Sequence, residues 1–338
     1  LLEKPISQTL REVLELRDLA AKLGRRVAIC HVLRYTPFYN AIRKVIRSGE
    51  LGKIITFNAN EGVGAWHFGH SFVRGHWGNS VKSTPMIVAK CCHDMDILHW
   101  LMEQPCEQVS SFGELSCFRK ETLTEPRPLR CTDWTTPIGE DPWDARKYIT
   151  DDSCRRWLRM VMDGVDTATP EEITEWLRTS PWGRDAFQCD DNDQPDHQVA
   201  IMNFKGGITG TFTMTAFEEG RHIEIYGTKA KLRAGAFYKE NGPGEITITE
   251  HFSKKMRQVE VETPDGGYAG HGGGDWGLVN NLYDDMFVVE DTSLMTTPIE
   301  ASAHSHVIAF AVEHARRSGE VVDIREFERK VLSGELNY

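Results

Sequence analysis

The apolar residues near the start of the chain recur at helical spacing. Leu10 begins a stripe that repeats every three or four residues, Thr9 stands where an N-cap belongs, and Gly24 stands where a C-terminal cap belongs. This pattern predicts a helix over residues 9–23. The continuous apolar run over residues 27–32 predicts a buried strand after it.

The spacing of the apolar residues changes near residue 50. Before this point, Thr36-Pro37 predicts the start of a second helix, because proline is favoured in the first helical turn. After it, Ile55 and Phe57 alternate with polar residues, which is the period of a half-buried strand. The change predicts two units, an α/β unit over residues 1–50 and an α+β unit over residues 51–338.

Runs typical of strands dominate the chain from residue 199 to residue 262. They are separated by Gly-rich turns and therefore predict an open, mostly antiparallel sheet. Helical patterns over residues 276–290 and 300–317 predict helices that cover one face of that sheet. Residues 118–195, rich in Pro, Trp and acidic residues, predict an insertion. The strand runs are 199–204, 208–217, 222–226, 245–250 and 258–262.

The composition is that of a soluble protein with a sizeable core. The chain has 338 residues, of which 40% are apolar and 26% are charged, and this length favours two domains. A net charge of −11 argues against nucleic acids and anionic membrane surfaces as partners, since both attract basic patches. No apolar run approaches the roughly 20 residues of a membrane span, and no secretory signal pattern is present, so we expect a cytoplasmic protein.

Neither the cysteines nor the densest group of carboxylates has the spacing of a metal site. The eight cysteines include no CxxC pair, which argues against a disulfide framework and a zinc site. Carboxylates gather from Asp190 to Asp196, but Pro195 stands where a calcium loop needs a glycine. We therefore expect a polar turn there and no metal. Asp196 and His197, at the start of a predicted strand, are candidate sugar-binding residues.

Lys4 and His93 are the candidate catalytic residues. Lys4 precedes Pro5, which fixes the local backbone, so the lysine could reach into a cleft; the alternative is an exposed lysine near a disordered terminus. His93 opens an apolar helical segment between Lys90 and Asp94. Because imidazole titrates near neutral pH, His93 is a candidate general acid or base. The alternative interpretation is a buried histidine in a capped helix.

Five short motifs are informative through their order along the chain. They are Glu3-Lys4-Pro5, His31-Val32-Leu33-Arg34-Tyr35-Thr36-Pro37, Gly49-Glu50-Leu51-Gly52-Lys53-Ile54, Ser71-Phe72-Val73-Arg74-Gly75 and Cys92-His93-Asp94-Met95-Asp96. In this order they resemble the glucose-fructose oxidoreductase/inositol dehydrogenase (Gfo/Idh/MocA) family. A weaker resemblance continues to Ser305-His306, so it covers essentially the whole chain.

The resemblance implies a Rossmann domain that binds NAD or NADP, of which residues 1–50 would be the last part. It also implies an open-sheet domain that holds a sugar or cyclitol and forms homo-oligomers through the sheet. His93 matches the family's catalytic histidine, which takes the hydroxyl proton while hydride leaves for the cofactor. The residues that match cofactor-contacting positions are Glu3, Lys4, Pro5 and Arg34.

The sequence departs from the family pattern at two places. Many members carry an aspartate four residues before the catalytic histidine, where this chain has Ala89 followed by Lys90. Lys90 is therefore a candidate replacement and a candidate substrate-binding residue. No GxGxxG phosphate-binding turn occurs in the sequence, so the resemblance implies a longer polypeptide that contains one. Further candidates for substrate contact are Arg74, Trp77 and His271.

The predicted function is NAD(P)-dependent oxidation or reduction at a hydroxyl of a sugar, sugar derivative or cyclitol. Two alternatives stay open. A non-catalytic module that binds carbohydrate or mediates dimerisation is favoured by Ala89 and by the lack of a phosphate-binding turn. A glycosidase that uses bound nicotinamide is the other alternative, because a relative in the family has that chemistry.

Overall fold

The fold is built on one sheet in the part of the chain that the structure describes, residues 1–237, 244–263, 267 and 269–338 of a computed structural model. The strands are β1 (Ile54–Val63), β2 (Cys106–Glu114), β3 (His197–Phe204), β4 (Ile208–Thr215), β5 (Glu219–Gly227), β6 (Ala230–Phe237), β7 (Glu245–Glu250), β8 (Met256–Gln258) and β9 (Val322–Asp323). Within the described ranges they pair as a nine-stranded sheet in the order β8-β7-β6-β5-β1-β4-β3-β2-β9.

The sheet is mixed, because β1 runs parallel to β4 while the other neighbouring strands are antiparallel. Asn58 in the middle of β1 lies opposite Thr211 of β4 and Glu224 of β5. The prediction of a mostly antiparallel sheet is corrected in this respect. Parallel pairing needs a long crossover connection, and such long-range pairing leaves no trace in local periodicity. That residues 1–50 belong to a Rossmann domain stays a prediction, as does the boundary near residue 50.

Helices cover the apolar face of the sheet. The longest, α10, packs against β2 and against α5, and α1 and α11 lie beside it. The helices are α1 (Leu10–Lys22), α2 (Pro37–Arg47), α3 (Ala65–Phe68), α4 (Met86–Ala89), α5 (Cys92–Met102), α6 (Lys147–Thr150), α7 (Asp152–Arg155), α8 (Pro170–Thr179), α9 (Ala269–Tyr283), α10 (Ile299–Ser318) and α11 (Ile324–Ser333). A search of the described residues finds no helix with the length and apolar character of a membrane span.

Both helices predicted near the start of the chain are confirmed, but the strand between them is wrong. The Thr9 side chain accepts a hydrogen bond from the Glu12 amide and caps α1, and Thr36 caps α2 in the same way. Residues 27–32 make only single-residue bridges, one of them from Ile29 to Leu2. Their apolar side chains are explained by burial in the core. The one-residue contacts on either side do not extend into a ladder of backbone hydrogen bonds, so no strand forms.

The later helices are largely confirmed, and the strands differ in detail. α9 becomes regular helix only after Gly273, because the backbone of residues 270–273 is non-helical, and a π-helical turn over Asp284–Val288 follows it. α10 spans the second predicted helix. β6 was not predicted, and the strand expected over 258–262 is limited to β8, which ends at Gln258. In β1 the register shifts between Ile54 and Thr56, so Ile55 is 44% exposed while Phe57 is buried.

The segment over residues 118–195 contains a small core of its own. It contains α6, α7 and α8, and a capping box between Thr169 and Glu172 begins α8. Tyr148 and Ile173 are fully buried in this second core, and Trp66 from α3 packs against it. The insertion is thereby attached to the end of β1, from which the chain enters α3.

Candidate functional site

The first turn of α5 places His93 in the interior. The helix begins at Cys92, directly after Lys90-Cys91, and its apolar residues pack into the main core. The His93 side chain is buried, and neither of its ring nitrogens has a hydrogen-bond partner among the described residues. Buried polar atoms are normally paired, so an unpaired imidazole is the kind of group that a bound ligand completes.

The charges around His93 oppose its protonation. Burial lowers the pKa of His93 well below its ordinary value, and the positive charges of Lys4, His31, Arg221 and Lys90 lower it further. At neutral pH the ring is therefore an uncharged imidazole that can accept a proton. A bound substrate that carries negative charge would offset these cations and make it easier for His93 to accept a proton.

Lys4 is held near this ring by an anchored segment. The Leu2 amide donates to Ala28 O at 2.9 Å, and the Cys30 amide donates to Leu2 O at 2.9 Å. Glu3 Oε2 accepts from the Lys4 amide at 3.2 Å, and the peptide bond to Pro5 is cis. After burial, the positive charge of Lys4 makes the next contribution to the lowered pKa of His93.

Lys90 is paired with a carboxylate that the sequence analysis did not identify. Its Nζ lies 2.9 Å from Glu61 Oε1, and Arg221 Nε lies 2.9 Å from Glu61 Oε2. Arg221 also binds Asp94 through Nε at 2.7 Å. Burial, together with the neighbouring Glu61 charge, raises the pKa of Asp94 to about 6 although Arg221 opposes this. Lys90 therefore joins a buried charge network beside His93.

A second buried pair lies behind His93. Asp96 accepts hydrogen bonds from Arg34 Nε and Nη2, both at 2.6 Å, and from Ser305 Oγ at 2.9 Å. His31 Nδ1 lies 3.0 Å from the same carboxylate, and the His31 and His93 ring centroids are 5.7 Å apart. Burial alone would lower the pKa of His31, but Asp96 raises it to about 9. This geometry favours a positioning role for Arg34, whose cofactor contact stays a prediction.

One group of three side chains in the described residues has the composition of a metal site. Its members are His31, Cys92 and His306, whose candidate ligand atoms lie within 4.8 Å of one another. Both nitrogens of His306 are already used, since Nδ1 donates to Ser302 O at 2.7 Å and Nε2 accepts from the Ile6 amide at 3.1 Å. These hydrogen bonds account for the ring without an ion. We therefore assign the group to the hydrogen-bonded interior of the site.

His271 lies on the open side of His93. The two ring centroids are 6.0 Å apart, and His271 Nδ1 lies 2.7 Å from Asp275 Oδ1. His67 lies on another side, stacked on Trp157 with ring centroids 4.3 Å apart. Burial lowers the pKa of His67 to about 3, and the positive charges of Lys90 and Lys4 lower it further.

The other predicted substrate residues are engaged elsewhere in the fold. Arg74 is buried and donates to Arg184 O at 2.6 Å and to Trp143 O, so it ties the insertion to the main core. Trp77 is half-exposed and stacks on Phe72. Their contact with substrate stays a prediction.

Asp196 and His197 form a pair at the start of β3. Asp196 is fully buried, and its Oδ2 accepts from the amides of Ser116 and Cys117 at 2.9 and 2.6 Å. Its Oδ1 lies 2.8 Å from His197 Nδ1. Asp196 therefore organises a turn, and the half-exposed His197 is the member of the pair that could meet a ligand.

Glu61 and Arg221 were not predicted from the sequence, although the position of Glu61 in the strand pattern was informative. It occupies an inward position of β1, in alternation with Phe57 and Val63, where an apolar residue is expected. A carboxylate at such a position needs a buried cation. Which cation it meets depends on the register of β1 and β5, which places Arg221 opposite Glu61.

Comparison with known proteins gives consistent results. Residues 43–324 match the family described as "Oxidoreductase family, C-terminal alpha/beta domain" of the Gfo/Idh/MocA proteins. YteT of Bacillus subtilis (strain 168), named as a proposed oxidoreductase, is 24% identical in an alignment 323 residues long that covers 92% of this chain and 71% of YteT.

Solved structures share the fold at low sequence identity. An Agrobacterium radiobacter oxidoreductase in complex with NAD⁺, L-tartaric acid and magnesium has a TM-score of 0.59 and 12% identity, and the similarity covers 96% of this chain and 72% of that one. Aldose-aldose oxidoreductase from Caulobacter crescentus, complexed with glycerol, has a TM-score of 0.60 and 11% identity, with coverage of 95% and 70%.

Proposed function

We propose, since the chain belongs to the Gfo/Idh/MocA oxidoreductase family, that it transfers hydride between a nicotinamide cofactor and a hydroxyl-bearing carbon of a sugar, sugar derivative or cyclitol. The observation that carries this proposal is His93, a buried imidazole whose unpaired nitrogens are surrounded by cations. The similarity to an oxidoreductase in complex with NAD⁺ and to an aldose-aldose oxidoreductase supports the cofactor and the substrate class, respectively.

The residues around His93 fit the reactive end of such a cofactor with its substrate. When bound, the nicotinamide accepts or donates hydride. His93 takes the hydroxyl proton at an unpaired ring nitrogen, and the ammonium groups of Lys4 and Lys90 stabilise the negative charge that develops on the oxygen. Glu61 holds Lys90 in place through its 2.9 Å ion pair. Many relatives have an aspartate where this chain has Ala89. The neighbouring Lys90 instead supplies a charge of the opposite sign.

The test is turnover by the natural-length protein with NAD and NADP against a panel of aldoses, sugar acids and cyclitols. We expect formation of reduced nicotinamide with at least one of these substrates. His93→Ala should lower kcat by about 100-fold or more, the typical contribution of a general base, with little change in cofactor Kd. The matched control is His222→Ala, because His222 is exposed and pairs with Glu218 on the outer face of the sheet. Absence of cofactor binding would favour a non-catalytic module.

We also propose that two copies of the chain associate through the outer face of the sheet. The exposed side chains of Phe112, Val199 and Ile201 lie on neighbouring strands β2 and β3, with Phe112 opposite Val199. Contiguous exposed apolar side chains favour a protein partner.

A further inference from the structure

His271 and Asp275 form a hydrogen-bonded dyad at the edge of the site. His271 Nδ1 lies 2.7 Å from Asp275 Oδ1, and each side chain is 49% exposed. The His271 ring centroid is 6.0 Å from that of His93. The dyad therefore lies between a buried imidazole and solvent.

The backbone around His271 is held in an uncommon conformation. Residues 270–273 all have positive φ, with 63° at Gly270 and 48° at His271. A non-glycine residue costs free energy in this region and persists where the surroundings enforce it, which is frequent at functional sites. The surroundings are tight here, because a Cβ at Gly270 would lie 2.7 Å from Asp275 Oδ2, and one at Gly274 would lie 2.5 Å from Val32 O. Asp275 is thereby fixed against the loop that carries His271.

The surroundings of His93 disfavour a proton on its ring. Its ring is fully enclosed, has no described hydrogen-bond partner and faces the charges of Lys4, His31, Lys90 and Arg221. His271 has the opposite surroundings. It is half-exposed, and the Asp275 carboxylate at Nδ1 orients Nε2. Asp275 in turn acts electrostatically on Cys30, which Glu3 also faces.

We propose that the His271–Asp275 dyad carries the substrate proton between His93 and solvent. This inference rests on the proposed function. During oxidation the carbon-bound hydrogen leaves as hydride to the nicotinamide, and the O–H proton passes to His93. It then passes from His93 to His271, across a gap that one water or one substrate hydroxyl fills, and from His271 to bulk water. The C–O bond becomes a carbonyl, His93 returns to its neutral form, and reduction follows the same steps in reverse.

The primary test is His271→Gly in the natural-length protein, with the cofactor and best substrate from the screen described above. Glycine accepts the positive φ of this position, so the loop keeps its conformation. We expect kcat to fall by about 10- to 100-fold, the cofactor Kd to stay unchanged, and added imidazole to restore a substantial part of the rate. The solvent deuterium isotope effect on kcat should increase.

A second variant separates proton transfer from structural support. Asp275→Asn keeps the shape of the side chain but removes the negative charge beside His271 Nδ1. We expect kcat to fall and the solvent deuterium isotope effect on kcat to increase, as in His271→Gly. Glu326→Gln is the matched control, since Glu326 forms an exposed ion pair with Arg329 on α11, away from both the site and the outer face of the sheet.

The outcomes distinguish the two proposals. If the wild-type protein turns over and His271→Gly has an unchanged kcat and isotope effect, the relay is wrong while the proposed function stands. A loss of rate that imidazole does not restore, together with an unchanged solvent isotope effect in Asp275→Asn, also overturns the relay. If the wild-type protein binds cofactor but oxidises and reduces none of the substrates, both proposals fail.

Discussion

Glu61 is a buried carboxylate that pairs with two cations of the site. Lys90 Nζ and Arg221 Nε both lie 2.9 Å from it, and its side chain is 2% exposed. Glu61→Gln removes the negative charge and leaves Lys90 without its counter-ion. We expect the free energy of unfolding, measured by urea denaturation, to fall by about 3 kcal/mol, as for other broken buried pairs.

A matched control separates burial from charge pairing as such. Glu103 also binds two cations, Arg43 and Arg47, but at the surface. Glu103→Gln should cost less than about 1 kcal/mol, because solvent screens exposed pairs. Equal losses in the two variants would show that the Glu61 network does not stabilise the fold through its burial.

The pKa of His31 predicts how the free energy of unfolding depends on pH. Asp96 raises the pKa of His31 to about 9 in the folded chain against the burial that opposes it, while the unfolded value is 6.5. The folded state therefore binds more protons between these values. The contribution of His31 is fully present below pH 6.5 and is lost as pH rises to 9, by about 3 kcal/mol.

Urea denaturation at several values across this pH range tests the prediction. His31→Gln should be less stable than the wild type at pH 6.5, and its free energy of unfolding should fall less on the way to pH 9. His222→Gln, at an exposed position on the outer face of the sheet, should keep the wild-type slope. A wild-type slope in His31→Gln would assign the pH dependence to other groups.

At the scale of elements, the packing of α9 on residues 32–35 depends on glycine. A Cβ at Gly277 would lie 2.8 Å from Tyr35 O and 2.9 Å from Tyr35 Cβ. In an unconstrained helix, Gly→Ala gains about 1 kcal/mol. Here Gly277→Ala should instead lower the free energy of unfolding by about 1–3 kcal/mol, because the helix must move away. Asn280→Ala, at an exposed position of the same helix, should be neutral or slightly stabilising. Stabilisation by both substitutions would contradict the close contact.

Elements with local signals were predictable, and those that depend on distant pairing were not. α1 and α2 followed from their caps and spacing, since these interactions span only a few residues. The apolar run at 27–32 correctly predicted burial but wrongly predicted a strand, because strand formation depends on a neighbouring strand. The parallel pairing of β1 with β4 joins residues about 150 positions apart and required the structure.

The site divides in the same way. His93 was identified from a motif of five adjacent residues, and the structure adds its burial and its unpaired nitrogens. The partner of Lys90 could not be found locally, because Glu61 and Arg221 meet only through the register of β1 and β5. Asp196 had the right chemistry for a sugar contact, but backbone amides in a turn that periodicity does not reveal occupy its carboxylate.

At the scale of the whole molecule, the two faces of the sheet differ in what covers them. Along β3 the burial alternates, so that Ala200 and Met202 face the helices while Val199 and Ile201 point outward. Ile201 lies opposite Ser110 of β2 and Thr211 of β4, on the third strand from the β9 edge of the sheet. A partner that covers this face would bury aliphatic and threonine side chains together. A twofold arrangement of two identical sheets would bring the same patch of each copy into contact.

Ile201→Lys tests whether this face joins two copies. The side chain is 52% exposed in the single chain, so the substitution should change monomer stability by less than about 1 kcal/mol. In a dimer it would place two ammonium groups in an apolar contact, and light scattering coupled to gel filtration should show a monomer at concentrations where the wild type is a dimer. Phe252→Lys is the matched control, since Phe252 is 94% exposed in the turn after β7 and should leave the mass unchanged. If Ile201→Lys has the mass of the wild-type dimer, the two copies associate through another surface. If the wild type is itself a monomer, the proposed association is wrong.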